Sequence, residues 1–303
     1  TLERGEVAVL CGASGSGKST LLRLLKRELE PVGEKSGEVY FCGVPTGELD
    51  AKRSAASVGF VMQKPEHQIV ADKVWHELSF GLENLGTPPQ LIARRIAETA
   101  SFFGIGGIYD SDTSVLSGGQ KQLTALAAVL AMEPELIILD EPTSQLDPIA
   151  AGDFISALVR LNRELGITIL IAEHRLEELT AICSRLMVME GGRLIQNGRP
   201  GSVISGLRER SEIMCSMPAA ARLHVLLGRD GECPVTISQG RELVREACGE
   251  SEGRVTSLPV KEYAVAADTA LEFRDVYLRY SRTADDVLKG MSLSVGEGEL
   301  FCI

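Results

Sequence analysis

The stretch that most constrains this chain is Gly12-Ala13-Ser14-Gly15-Ser16-Gly17-Lys18-Ser19-Thr20. An apolar run, Val7-Ala8-Val9-Leu10, leads into it, and a periodic stretch, Leu21-Leu22-Arg23-Leu24-Leu25, leads out. The order is strand, glycine-rich loop, helix, with the spacing G-x-x-x-x-G-K-[ST]. Glycines let successive backbone N–H groups curl around a polyphosphate, and the following helix points its positive dipole end at the same anion. On this pattern Gly12, Ser14, Gly15, Ser16, Gly17, Lys18, Ser19 and Thr20 form a nucleotide-binding loop. Lys18 would reach the β- and γ-phosphates and Ser19 would ligate Mg²⁺. A merely flexible glycine loop accounts for neither the Lys-Ser pair nor the flanking strand and helix.

Downstream, Leu21 to Leu29 has a helical stripe that Pro31 and Gly33 end. Gly37 to Gly43 and Val58 to Met62 read as strands, with Gln63 at the mouth of the second. Asp72 to Leu85 and Gln90 to Phe103 have helical spacing and suggest a helical insertion. Alternation then resumes with strand Leu136 to Asp140, helix Pro148 to Leu165 stopped by Gly166, and strand Ile167 to Ala172. Strands near Arg185 to Met189 and Arg193 to Asn197 follow. Such alternation predicts an α/β fold, a mostly parallel sheet with helices on both faces.

From about residue 205 the pattern changes. Ser205 to Glu262 mixes Gly, Pro and charge with short apolar pieces, including a helical stretch from Gln239 to Ala247, and reads as a linker. Leu271 to Tyr277 alternates as a strand should. Gly298-Glu299-Leu300-Phe301-Cys302-Ile303 then matches Gly5-Glu6-Val7-Ala8-Val9-Leu10 type for type. An internal repeat of this kind predicts a second phosphate loop just past Ile303.

Several function classes are disfavoured by composition. At 303 residues there is room for about two domains. Forty-two acidic against thirty-one basic residues give a net charge of −11, which argues against a nucleic-acid surface. The seven cysteines are widely spaced and odd in number, so neither a zinc site nor a disulfide framework is expected, and a reducing cytoplasm is. No apolar run approaches the ~20 residues of a membrane span. The chain opens at Thr1 in mid-pattern without initiator Met or signal peptide, and is expected to be a fragment.

Two further motifs carry chemistry. Leu136-Ile137-Ile138-Leu139-Asp140-Glu141 is an apolar strand ending in two carboxylates at the edge where phosphates would sit. Asp140 would hold Mg²⁺ through water, and Glu141 would polarise a water for in-line attack. Leu116-Ser117-Gly118-Gly119-Gln120 opens a helix with S-x-x-Q capping-box spacing. Two consecutive glycines weaken a helix by about 1 kcal/mol each relative to alanine, so capping alone does not explain them. They fit a helix start whose amides must approach an anion closely.

In order, the loop Gly12 to Thr20, Gln63, Ser117 to Gln120, Leu136 to Glu141, Ser144-Gln145-Leu146-Asp147 and His174 resemble the nucleotide-site motifs of ATP-binding-cassette (ABC) ATPases. The resemblance implies a P-loop NTPase core with an inserted helical subdomain. A first nucleotide-binding domain would span 1–204, with the helical subdomain about 72–130. A linker over 205–268 and the start of a second, truncated cassette over 269–303 would follow. It also implies ATP and Mg²⁺, held by a composite site in which the phosphate loop of one cassette faces Ser117, Gly118, Gly119 and Gln120 of another, with Asp147 signalling across the dimer. Glu141, His174 and Gln63 would be catalytic, and Ser19, Asp140 and Gln63 would serve the metal. The adenine-stacking aromatic of the family lies upstream of the loop, outside this sequence. Tyr280 holds the matching place in the second copy. Gln145 stands where the family often has Ala.

Gln63 to Val70 and Glu77 to Gly86 are similar to segments of energy-coupling-factor ATPases, and Ala172 to Glu178, Met217 to Leu223 and Pro234 to Thr236 to the fused, two-cassette members. This branch implies membrane-embedded transporter subunits as partners, vitamin or transition-metal uptake, no nucleic acid, and a place on the cytoplasmic face of a bacterial membrane. A soluble tandem cassette acting on ribosome or DNA, and a tandem sugar-importer ATPase, are the alternatives.

Overall fold

The computed structural model describes residues 1–248, 268–280, 282 and 286–302. They fall into two compact units, Thr1–Gly249 and Glu250–Ile303. In chain order the first unit contains β1 (Val7–Cys11), α1 (Lys18–Leu24), β2 (Tyr40–Phe41), β3 (Val44–Pro45), α2 (Ala51–Ser57), β4 (Val58–Val61), α3 (Val74–Asn84), α4 (Pro89–Phe103) and α5 (Gly118–Ala131). It continues with β5 (Leu136–Asp140), α6 (Pro148–Leu165), β6 (Thr168–Ala172), α7 (Leu179–Ile182), β7 (Arg185–Glu190), β8 (Arg193–Gly198), α8 (Pro200–Ser205), α9 (Ser211–Met214), α10 (Ala219–Leu226) and α11 (Ile237–Cys248).

Six strands form one sheet in the order β4-β5-β6-β1-β7-β8. Every neighbouring pair from β4 to β7 is parallel, and only β8 runs antiparallel, at the edge. β1 lies between β6 and β7, and all five of its residues are buried. That double covering is why its sequence is a continuous apolar run rather than an alternation. Successive side chains still go to opposite faces. Val7, Val9 and Cys11 join Ile137, Leu139 and Ile169 under α5 and α6, where Leu126, Phe154, Leu158 and Leu161 are buried. Ala8 and Leu10 join Ile138, Leu170 and Leu22 on the α1 side. Each fully buried Leu or Phe here is worth about 1.5–3 kcal/mol.

The helical insertion has its own core, in which Val74, Leu78 and Leu82 of α3 and Ile96 and Ala100 of α4 pack on Ala127 and Ala131 of α5. Helix α5 therefore serves two cores. Leu126, Val129 and Leu130 face the sheet, while the alanines one step round face the insertion.

The structure departs from the sequence reading in several places. Of the strand expected over 37–43 only Tyr40–Phe41 forms, because the chain reverses at Cys42 and Gly43, both at positive φ, into a tight hairpin with Val44–Pro45. The helix expected over 21–29 starts earlier, at Lys18, and gives way to a 3₁₀ turn at Arg27–Leu29. The segment from 205, expected as a linker, packs onto the first unit as far as it is described in this stretch. Leu207, Met214, Met217, Ala221 and Cys233 share a core with β1, β5 and β6. Ala219 N donates to the Glu177 carboxylate at 3.1 Å, and Arg210 pairs with Glu190. What was expected of 249–267 and of Ile303 lies outside the described residues.

The second unit contributes β9 (Thr269–Leu278) and β10 (Leu288–Gly296), an antiparallel pair. Beyond β10 a turn reproduces one seen before β1. Glu3 N donates to Glu6 Oε2 (2.9 Å) and Glu6 N to Glu3 O (3.2 Å), with Gly5 at φ 73°. Gly296 N likewise donates to Glu299 Oε2 (2.7 Å) and Glu299 N to Gly296 O (3.2 Å), with Gly298 at φ 72°.

Candidate active site

Four strands deliver the candidate residues to one edge of the sheet. β1 runs into Gly12–Thr20, β4 into Gln63, β5 ends on Asp140 and passes to Glu141, and β6 passes to Glu173 and His174. Since β4, β5, β6 and β1 are adjacent and parallel, their carboxyl ends lie side by side, where open α/β sheets bind ligands.

The loop is built against its neighbours. Gly12 has φ 152°, and a Cβ there would stand 2.2 Å from the Met189 carbonyl oxygen, so no larger residue fits beside β7. Gly192 N donates to Ser16 O at 3.0 Å, tying the loop to the turn after β7. Ser14 and Gly15 are exposed at its tip, and Thr20 is exposed on α1. Ser16 is buried and its Oγ has no hydrogen-bond partner among the described residues.

Lys18 is only 4% exposed. Its Nζ donates to Gly12 O (3.0 Å) and Ala13 O (3.3 Å) and lies 3.6 Å from Glu141 Oε1. His174 Nε2 is 2.8 Å from the same Glu141 oxygen and 3.2 Å from Lys18 Nζ. A proton on Nε2 satisfies the carboxylate, and the lysine then directs its hydrogens to the two carbonyls. Gln63 Nε2 donates to Glu141 Oε2 at 3.0 Å. Glu141 itself has φ 47°, a left-handed conformation that costs a non-glycine residue about 1–3 kcal/mol. Its N–H donates to Ala172 O (2.9 Å), which anchors the kink on β6.

Asp140, one residue earlier, accepts from Ser19 Oγ at 2.9 Å. Burial raises its carboxyl above the usual range, opposed by the Ser19 hydrogen bond, reinforced by the Glu141 charge, and opposed again by Arg23 and Lys18. A buried carboxylate beside a hydroxyl is a hard-oxygen pair suited to Mg²⁺, which binds through one or two protein oxygens plus phosphate and water. The residues fit the group, and the orphaned Ser16 hydroxyl in the loop fits a bound anion. Among the described residues no cluster of three His, Cys, Asp or Glu side chains offers a metal site of its own. Burial pushes the Cys11 thiol, just before the loop, up to about 12, which leaves it protonated and inert.

Ser117–Gln120 is engaged differently. Ser117 N donates to Gln120 Oε1 (2.9 Å) and Gln120 N to Ser117 Oγ (3.3 Å), so the capping box is present in full. A Cβ on Gly119 would be 3.1 Å from Ala150 Cβ, so packing against α6 accounts for that glycine. A Cβ on Gly118 would meet nothing closer than Gln145 O at 3.7 Å, so packing among the described residues does not account for it. Asp147 caps α6, accepting from Ile149 N and Ala150 N at 2.9 Å.

Three residues beyond the motif set hold this edge together. Gln68 clamps the Gln63 loop, accepting from Met62 N (2.9 Å) and donating to Phe60 O (3.2 Å). Glu173 accepts from Thr143 and from His174 N. Gln68 recurs five residues after Gln63, which a motif reading could have flagged. The Thr143–Glu173 pairing spans 30 residues and leaves no local signature.

A parallel sheet with this loop and these carboxylates at its edge defines a P-loop ATPase. A family model described as ABC transporter matches residues 1–144. A Bacillus thuringiensis subsp. konkukian protein whose name places it among ABC transporter ATP-binding proteins is 38% identical over 99% of this chain, and the chain spans 53% of that relative's length. The energy-coupling factor transporter ATP-binding protein EcfA3 of Clostridium perfringens is 35% identical over 80% of this chain and 87% of its own length. Among solved structures, cbiO1 from Clostridium perfringens, part of the ABC transporter complex cbiONQ, superposes with a TM-score of 0.60 at 35% identity, covering 71% of this chain and 87% of its own. The chain belongs to the ABC transporter ATPase family.

Proposed function

We propose that this chain supplies the ATP-hydrolysing cassette of a subunit that energises a membrane importer of the energy-coupling-factor type, for a vitamin or a transition metal. The observation that carries it is Glu141, held between Gln63 and His174 and beside Lys18 at the edge where the phosphate loop ends. Lys18 exchanges the Gly12 and Ala13 carbonyls for β- and γ-phosphate oxygens when ATP binds. Ser19 and Asp140 would hold Mg²⁺, which when bound neutralises charge on those phosphates. Glu141 takes a proton from the attacking water, and the new P–O bond forms as the β–γ bridging bond breaks to leave ADP. His174 steadies the γ-phosphate and the water, and Gln63 reports the γ-phosphate to a membrane partner.

Ser117 to Gln120 and Asp147 act on the nucleotide of a facing cassette, which explains a Gly118 that packing among the described residues does not require. The turn shared by Glu3–Glu6 and Gly296–Glu299 supports 269–303 as the start of that second cassette. The importer branch rests on the likeness to EcfA3 and cbiO1, together with a net charge of −11 that disfavours nucleic acid. No described helix is long and apolar enough to cross a membrane. In this reading the cassette works on a membrane through partner subunits, from its cytoplasmic face. The test is purification of the full-length protein from bacterial membranes and reconstitution in vesicles. Copurifying membrane subunits and ATP-dependent uptake of a labelled vitamin or metal ion are expected. Ribosome cosedimentation with RNA-dependent ATP turnover would overturn the importer reading.

A further inference from the structure

Glu173 is 2% exposed, and a carboxylate this deep persists only when its oxygens are satisfied. Oε1 accepts from Thr143 N at 2.9 Å and Thr143 Oγ1 at 2.5 Å. Oε2 accepts from His174 N at 2.9 Å. Its own N–H donates to Leu10 O at 3.1 Å, at the end of the strand that carries the phosphate loop. One buried side chain therefore joins the turn two residues after Glu141, the backbone of His174 and, through its main chain, the end of β1.

Glu141 sits in a left-handed kink whose N–H is fixed to Ala172 O. Ala172 immediately precedes Glu173, so the kink is pinned to β6 on one side by Ala172 O and on the other by the Glu173 carboxylate. The distance between Glu141 Oε1 and His174 Nε2, 2.8 Å, spans two loops that leave paired strands side by side, with Asp140 opposite Ala172. We propose that Glu173 is a positioning residue that fixes the spacing of Glu141 and His174 for attack on the γ-phosphate. The inference rests on the ATPase roles given above to Glu141 and His174. The negative charge of Glu173 suits this role, because a carboxylate accepts on both oxygens, whereas an amide presents a donor to one of these two N–H partners.

The experiment is steady-state ATP turnover of the full-length protein, with thermal melting and binding of a fluorescent ATP analogue measured alongside. Glu173→Gln is expected to lower kcat about tenfold or more, the effect of ~1.4 kcal/mol on a barrier, with KM for ATP within about twofold. Thr143→Val removes only the hydroxyl contact, folds if Glu173→Gln does not, and is expected to lower kcat less, again without raising KM. Combined with His174→Ala, Glu173→Gln is expected to add little, because it acts through that residue. Equal losses in kcat, analogue affinity and melting temperature would make Glu173 a fold support only and overturn the inference, as would fully multiplicative effects with His174→Ala. Wild-type turnover in Glu141→Gln and His174→Ala would instead sink the reading of the site. Slow turnover in those two with normal turnover in Glu173→Gln and Thr143→Val would sink the Glu173 inference alone.

Discussion

Two glycine-rich segments of this chain open helices, yet only one sits in a network. Around Gly12–Thr20, side chains delivered by β5 and β6 meet Lys18 and Ser19, and Gln63 at the end of β4 joins them through Glu141. Around Ser117–Gln120 the Ser117 hydroxyl and the Gln120 side-chain carbonyl each accept from the other residue's backbone N–H, three residues apart. A helix N-terminus offers both segments the same partial positive charge. What separates them is the sheet: parallel neighbours bring distant residues to the first, whereas the second is half of a site only if another cassette faces it.

Substitutions on each side put this contrast at risk. Lys18→Ala should have the largest effect on binding, weakening ATP about 10–100-fold, because a charge-assisted bond of ~1.5–3 kcal/mol is lost. Equilibrium binding to the isolated chain checks it. Gly118→Ala should leave that binding unchanged and melting no lower, since alanine favours the helix by about 1 kcal/mol and the space is open. Turnover of the full-length protein should nonetheless fall about tenfold, reading ~1.4 kcal/mol as tenfold. Normal turnover would return Ser117–Gln120 to capping alone. Ser117→Asn should keep the cap and the melting temperature, where Ser117→Ala loses about 1 kcal/mol of stability, while both slow turnover.

The smallest effect is expected at Asp140. Burial raises its carboxyl, so the folded protein holds that proton to higher pH than the unfolded chain does. The stability this contributes is present at low pH and is lost as pH rises through the folded value. Asp140→Asn should therefore melt like wild type near pH 4, about the unperturbed Asp value, and higher than wild type at pH 7 in magnesium-free buffer. The extra stabilisation by Mg²⁺ with ATP should be lost. Melting curves across that range check the sign.

How far the sequence spoke for itself followed how local each cause was. β5 and α6 begin and end where the apolar run, Pro148 and Gly166 say they should, and Asp147 caps α6. α2 has no large apolar residue and so shows no stripe in the sequence, though Asp50 caps it through Lys52 N and Arg53 N. The stretch 205–268 reads as a linker because its apolar residues are scattered, and only the sheet shows that Leu207, Met217 and Cys233 face one core. The repeated turn makes the same point. At Glu6 the chain enters a strand buried between β6 and β7. Spacing of three residues suffices for the turn, and the strand also requires neighbours from about 160 residues away, as Val7 pairs with Ile169. In the site, the motif residues were legible as types at intervals, while the φ of Glu141 and the bonds of Glu173 depend on long-range geometry.

The whole reading of the site turns on Glu141 taking the proton of the attacking water. Glu141→Gln in the full-length protein tests this, with ATP affinity compared against single-turnover hydrolysis. Affinity within a few-fold of wild type and hydrolysis slower by about 100-fold or more, the usual worth of a general base, are expected. Hydrolysis at the wild-type rate would contradict that role.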